Sequence, residues 1–430
     1  MSKTRLLLCA LAATLLGRRA SADPSNFRTY LVGARAAGMG GAFTALADDG
    51  SGAYYNPGGL AFAQSSSLSL SGSVYGVVRG SYADVITRGQ DFNYSALNLF
   101  PVATGAVRKL SADDVVHAEV LVPDALHVDE HTSILAKTNA FGVGTDSQSL
   151  WLGGGYARRL GRLGLGASAH AVISTETSTL DLNVINPQDP GRFAAITSRE
   201  DIATTGFVFS LGARLDLTDH LHLGASIYTP AVGFGSRKEF ARILLGRDVG
   251  TPGAPPNSVV RSEDGLAASP DVPLRAQLGL AFSSGPLTVS ADVIYLGARD
   301  LRDNPERAAE GLDRHIVRKG VVNGSVGVEY LAAGNIPLRA GFFTDYSASP
   351  SPDERGAGPR PTNTLHVNRY GVSASGGLKS EHVVTDLGVN VSYASGTNDL
   401  PVELDFTNIQ PSAATLLTAY VFLATSYEFK

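Results

Sequence analysis

From residue 66 to its end the chain is patterned with a period of two. Between Gly206 and Leu217, the residues Phe207, Phe209, Leu211, Ala213, Leu215 and Leu217 take alternate positions. Gly206, Ser210, Gly212, Arg214 and Asp216 fill the others, and Val208 is the exception. Successive side chains of a strand point to opposite faces, so this segment predicts a strand with one apolar and one polar face. The pattern recurs. Leu221, Leu223, Ala225 and Ile227 oppose His222, Gly224 and Ser226, and Leu287, Val289, Ala291, Val293 and Tyr295 oppose Thr288, Ser290 and Asp292. In the hairpin about Gly334, Glu329 and Arg339 fall on the polar face and are expected within reach of each other.

Fourteen segments read this way: 66–80, 93–108, 114–122, 148–158, 163–175, 204–217, 220–229, 272–283, 287–297, 320–331, 336–346, 367–378, 383–394 and 416–429. Short turns near 109–114, 158–162, 218–220, 283–286, 332–335 and 379–382 alternate with long loops. A tilted strand of about 9–11 residues crosses a bilayer core. Lipid offers no partner to a free strand edge, so the sheet must close. The polar faces carry Gly, Ser, His and isolated charges, which suits a crowded lumen better than open water. The expected fold is all-β, a 14-stranded antiparallel transmembrane β-barrel. Tyr156, Tyr295, Tyr330, Tyr370 and Tyr393 lie near strand ends, as interfacial girdles require. The last strand ends on Phe429, before Lys430, and resembles the assembly signal of bacterial outer-membrane proteins.

The start of the chain has a different character. Lys3 and Arg5 precede the apolar run Leu6–Leu16, and Ala20-Ser21-Ala22 follows, which predicts a secretory signal peptide over residues 1–22. A lipoprotein signal at Cys9 fits less well, because the apolar run continues past it. Of the 35 basic residues four lie in this leader, which leaves 31 against 40 acidic ones, a net charge of −9. That balance excludes the basic footprint of a nucleic-acid binder. The only cysteine lies in the leader, so no disulfide is expected in the mature chain.

Residues 33–62 read GARAAGMGGAFTALADDGSGAYYNPGGLAF and show no strand pattern. Glycines allow close backbone packing, Asp48 and Asp49 can accept backbone N–H groups in turns, and Pro57 fixes φ. The segment resembles the N-terminal plug of the long-chain fatty acid transporter family of outer-membrane proteins, the FadL/TodX type. The matching residues are Gly38, Gly40, Gly41, Asp48, Asp49, Asn56 and Pro57; Gly58 stands where the family usually has Ala. The resemblance implies a plug over 23–65 inside a barrel over 66–430. It also implies passive passage of hydrophobic molecules from outer loops to an interior site, and exit through the wall at an inward-kinked third strand. The expected setting is the Gram-negative outer membrane, with a lipophilic substrate, surrounding lipid and a monomeric barrel. A structural or secretion-partner barrel without transport is the other reading.

Rival chemistry is thin. Gly38-x-Gly40 resembles the start of a dinucleotide fingerprint, but no strand precedes it and Phe43 holds the last Gly/Ala position, so no cofactor is expected. His127-Val128-Asp129-Glu130-His131 matches a zinc-peptidase pattern in a predicted outer loop, where a helix would be needed and no third ligand is apparent. No enzyme is expected. Within the long loop 230–271, residues 237–247 predict a short amphipathic helix. There Phe240, Ile243, Leu244 and Leu245 form an apolar patch for ligand capture, and Arg242 lies beside them.

Overall fold

Alternation along each segment is matched by register between segments, and the ladder closes on itself. The computed structural model describes residues 26, 30–71, 74–84, 89, 91–100, 103–134, 139–186, 189–247, 257–310, 312–354, 364–402 and 405–429. The predicted leader and the chain to residue 25 lie outside the described residues. Fourteen antiparallel barrel strands follow the plug. They are β1 (Ser66–Ser71 and Val74–Tyr82), β2 (Phe92–Phe100 and Ala103–Lys109), β3 (Asp114–Ile134), β4 (Asn139–Leu160), β5 (Leu163–Asn186), β6 (Asp189–Asp216) and β7 (Leu221–Tyr228 and Val232–Arg247). Then come β8 (Asn257–Leu266 and Arg275–Ser284), β9 (Leu287–Leu296), β10 (Val321–Ala332), β11 (Ile336–Asp345), β12 (His366–Lys379), β13 (Val383–Val402) and β14 (Asp405–Phe429). Pairing of Ser66 with Phe429 closes the sheet.

Outward positions are apolar and exposed: Leu211 by 62%, Leu278 by 65% and Leu97 by 66%. Phe209 and Val289 share that face. Such a wall is stable only against lipid, where each side chain avoids water and each backbone group is paired within the sheet. Inward positions of the same strands are polar and buried, among them Ser210, Arg214, Ser226, Gln277, Ser290 and Asp292.

The strands run beyond their predicted outer ends. β3 to β6 have 21, 22, 24 and 28 residues, well past the membrane requirement. The His127–His131 motif therefore lies in β3, where four residues at about 3.3 Å each set the two backbone positions about 13 Å apart, too far to share one zinc ion. Residues 237–247 likewise form strand, not the expected helix: β7 pairs there with β6 (Phe240 with Glu200) and with β8 (Phe240 with Glu263). A separate hairpin, Arg299–Asp303 with Arg314–Arg318, tops β9 and β10.

Inside, residues 30–65 fill the lumen at the short-turn half. They contain two short helices, α1 (Ala34–Gly38) and α2 (Gly52–Tyr55), and a 3-10 turn over Pro57–Phe62. Val32, Ala36, Met39, Phe43, Ala45 and Leu60 have no accessible surface.

Candidate transport path

The plug is held by backbone approach and by charge. Three glycine pairs lie in register across neighbouring wall strands: Gly166 with Gly212, Gly224 with Gly279, and Gly327 with Gly341. Each pair faces plug backbone. A Cβ at Gly166 or Gly212 would strike Asn56–Pro57, at Gly224 or Gly279 Thr44–Ala45, and at Gly327 or Gly341 Met39–Gly40. Gly40 itself has φ of +66° beneath the Phe342 backbone, a conformation and a clearance that favour glycine.

Buried backbone groups of the plug must find partners inside the barrel, and wall side chains supply them. Asp292 Oδ2 accepts from both Phe43 N and Thr44 N at 2.8 Å. Arg214 donates to Leu46 O at 2.8 Å, and Gln277 and Ser226 donate to Tyr55 O at 3.0 and 2.7 Å. Arg275 donates to Tyr54 O at 2.7 Å, with its guanidinium between the rings of Tyr54 and Tyr228. Asn56 bridges plug and wall. Its Nδ2 donates to Thr44 O and Ala213 O at 2.8 and 2.9 Å, and its Oδ1 accepts from Gly58 N at 3.0 Å.

A chain of charges secures the other side. Arg35 pairs with Asp48 at 2.8 Å and with Glu329 at 2.9 Å, Glu329 also binds Arg339 at 2.6 Å, and Arg339 binds Asp386 at 2.7 Å. The pair of Glu329 and Arg339 has the register expected from sequence. These groups border a polar cavity of about 350 Å³ on the short-turn side of the plug. Asp49 Oδ1 accepts from Ser51 N at 2.8 Å and closes the turn into α2. The sequence-selected plug residues thus divide into backbone docks (Gly38, Gly40, Pro57), turn closers (Asp49, Asn56) and an ion-pair member (Asp48); Gly41 has φ of +79°.

Above the plug the inner face changes character. Val78, Phe92, Tyr94, Val128, Val143, Leu182, Ile196, Val367 and Leu416 form one buried apolar cluster drawn from β12–β14 and β1–β6, on one side of the barrel. Sequence reading missed it because the outer halves of β3 to β6 were taken as loops. The alternation of Leu180 and Leu182 with Asp181 and Asn183 was the available signal.

Below this cluster the wall has a seam. β2 and β3 pair from Lys109–Val115 up to Ala103–Leu121, and among the described residues no ladder joins Phe92–Phe100 to β3. β3 also slips by one residue against β4 between Leu121 and Asp124, around Pro123, which has no N–H to donate. Asn98 Oδ1 accepts from His127 N at 2.9 Å in place of the missing ladder. The start of the plug covers the seam. Tyr30 OH donates to Ala125 O, Leu31 N donates to Tyr420 OH at 3.1 Å, and both residues pack with Val122, Ala125, Tyr420 and Phe422.

At the outer rim, Phe240 and Arg242 are buried, with the guanidinium 4.8 Å from the ring centre, whereas Ile243 and Leu245 face outward. The five capture residues selected from sequence therefore do not form one patch. Leu244 is placed only by its register with Ile196, and its side chain lies outside the described set. The lumen histidines have structural partners: His170 Nε2 lies 2.6 Å from Glu119, and His222 Nδ1 lies 2.7 Å from Asp216.

No protein-family model matches the sequence. No curated protein matches it either. The likeness is structural. A Pseudomonas aeruginosa FadL homologue superposes with a TM-score of 0.67 at 14% identity, covering 94% of this chain and all (100%) of that one. The P. putida toluene transporter TodX gives 0.65 at 15%, covering 94% of this chain and 99% of TodX. The chain has the FadL fold. The Ralstonia pickettii toluene transporter TbuX gives 0.58 at 14%, over 94% and 100% of the two chains. A FadL-fold barrel with this lipid-facing wall is a Gram-negative outer-membrane protein.

Proposed function

We propose that this barrel carries hydrophobic small molecules passively across the outer membrane, and that it is a transporter rather than an enzyme. One observation carries the reading: the buried apolar cluster above the plug adjoins Tyr30 and Leu31, which lie on the wall seam between β2 and β3. A lipophile that inserts among those side chains gains about 25 cal/mol for each Å² of apolar surface removed from water. Sideways release into lipid preserves that gain, whereas passage through the polar half of the lumen would forfeit it. The toluene transporters among the structural neighbours agree with a lipophilic cargo.

Long-chain fatty acids are the cargo proposed here, with Phe240 and Arg242, on the inner face of the outer rim, as the first contact. There an aromatic face and a cation together suit an acyl carboxylate. Residues 1–22 would direct export and be removed. The test is uptake by proteoliposomes of a labelled fatty acid and of toluene, with the purified full-length barrel against empty vesicles. Entry of neither compound would defeat transport; entry of toluene alone would defeat the fatty-acid assignment and leave the seam route standing.

A further inference from the structure

The outer face of the barrel carries one sector where the apolar belt ends abruptly. Across β13, β14, β1 and β2, the rung Val391–Ala419–Val77–Leu97 is wholly apolar. Two residues higher the rung is Tyr393–Leu417–Arg79–Ser95, and the next outward rung is Ser395–Thr415–Ser81–Asn93. All residues of the two upper rungs except Ser395 line a groove of about 540 Å³, together with Gly80 and Tyr94. At about 3.3 Å per residue and a tilt near 45°, Arg79 stands roughly 30 Å from the short-turn end of β1, the outer limit of the hydrocarbon core.

Arg79 also differs from two outward cations of the outer wall. Arg199 pairs with Asp201 at 2.7 Å, and Arg237 pairs with Glu239, each two residues away on its own strand. Arg79 is exposed and has no carboxylate partner among the described residues. Two residues along β1 from Arg79 stand Val77 on one side and Ser81 on the other, so a same-strand carboxylate is ruled out by sequence. A cation held at the boundary between acyl chains and headgroups calls for an anion there. The hydroxyl and amide groups of Ser81, Thr415 and Asn93 lie above it, and apolar surface lies below. That vertical order is sugar, phosphate, acyl chain.

We propose that this groove binds lipopolysaccharide of the outer leaflet, with Arg79 on a phosphate of its lipid anchor, Ser81, Asn93 and Thr415 on the sugar, and acyl chains along Val77, Leu97 and Val391. The site lies on the outside of the wall and does not depend on the transport reading. It would hold the β13–β14–β1–β2 sector against the outer leaflet, beside the seam.

The test is native mass spectrometry of the full-length barrel in mild detergent, titrated separately with purified lipopolysaccharide, phosphatidylglycerol and inorganic phosphate. Arg79→Gln should weaken lipopolysaccharide binding about tenfold, the scale of one charge-assisted hydrogen bond, while Arg79→Lys keeps part of it. Ser81→Ala with Asn93→Ala should weaken lipopolysaccharide but leave phosphatidylglycerol unchanged. Heat-modifiable gel mobility checks that each variant folds. The proposal is overturned if Arg79→Gln binds lipopolysaccharide as the parent does, if phosphatidylglycerol binds as tightly as lipopolysaccharide, or if inorganic phosphate displaces it.

Discussion

Arg35 of the plug and Glu329 of the wall meet through two hydrogen bonds, Nε to Oε2 at 3.0 Å and Nη2 to Oε1 at 2.9 Å. Glu329 is shared with Arg339, so it separates two guanidinium groups. Removing its charge leaves both cations facing each other in a partly buried site. Breaking a buried pair by deleting one partner costs about 3–5 kcal/mol; with Arg35 and Glu329 each retaining some exposure, the low end applies. Glu329→Gln should lower unfolding resistance by about 3 kcal/mol and loosen the plug, seen as faster protease cutting within residues 30–65. An unchanged cutting rate would remove this ion pair as the plug's anchor.

The glycine pairs hold the plug by absence of side chain. Gly341 faces the Met39–Gly40 backbone with no room for a methyl group. Gly341→Val should cost about 1–3 kcal/mol through overpacking, and the strain should fall on the plug rather than on the barrel, whose ladder Val can join. The expected result is an intact barrel with heightened ion conductance in planar bilayers. Parent-like closure would show that the plug can shift without opening.

The lipid-facing assignment has its own check. Leu211 points outward between Ala167 of β5 and Ile227 of β7. Leu211→Arg should destabilise the folded barrel by about 2–4 kcal/mol near the midplane, measured by urea titration in vesicles. The same change at Ser210, which faces the lumen, tests plug packing instead.

Where the two faces of a strand meet different solvents, the sequence records it. Leu211 against Ser210 and Val289 against Ser290 are legible because lipid and lumen demand opposite chemistry. Beyond the membrane that contrast fades. Phe240, Ile243 and Leu244 happen to fall at helical spacing, yet ladders to β6 and β8 on both sides make 237–247 a strand, and tertiary pairing overrides local period. The glycine docks were hidden for another reason. Gly327 and Gly341 are each one glycine among 48, and only the register between β10 and β11 brings them together. The seam was half visible: Pro123 marks the end of the predicted third strand, but it bends that strand and does not end it.

If cargo leaves at the seam, Tyr30 is the residue it must displace. Tyr30 OH donates to Ala125 O just above the Pro123 slip, and the Tyr30 ring lies edge-on to Tyr420 at 5.9 Å. The hydroxyl holds the plug start over the gap, and the ring fills the space that the proposed lateral route would use. Tyr30→Phe keeps the ring and deletes one hydrogen bond, worth about 0.5–1.5 kcal/mol net. If opening of this contact limits passage, uptake should rise roughly two- to tenfold, the same free energy expressed as a rate. Binding at the upper apolar cluster, around Tyr94, Val128 and Leu182, should be unchanged, because none of its contacts is altered. Tyr30→Ala removes the ring as well and should raise the rate further. Uptake by proteoliposomes gives the rate, and equilibrium binding of the labelled lipophile to the purified barrel gives the affinity. Equal rates for parent, Phe and Ala forms would mean that passage does not run beneath Tyr30, and the route would have to be sought elsewhere in the lumen.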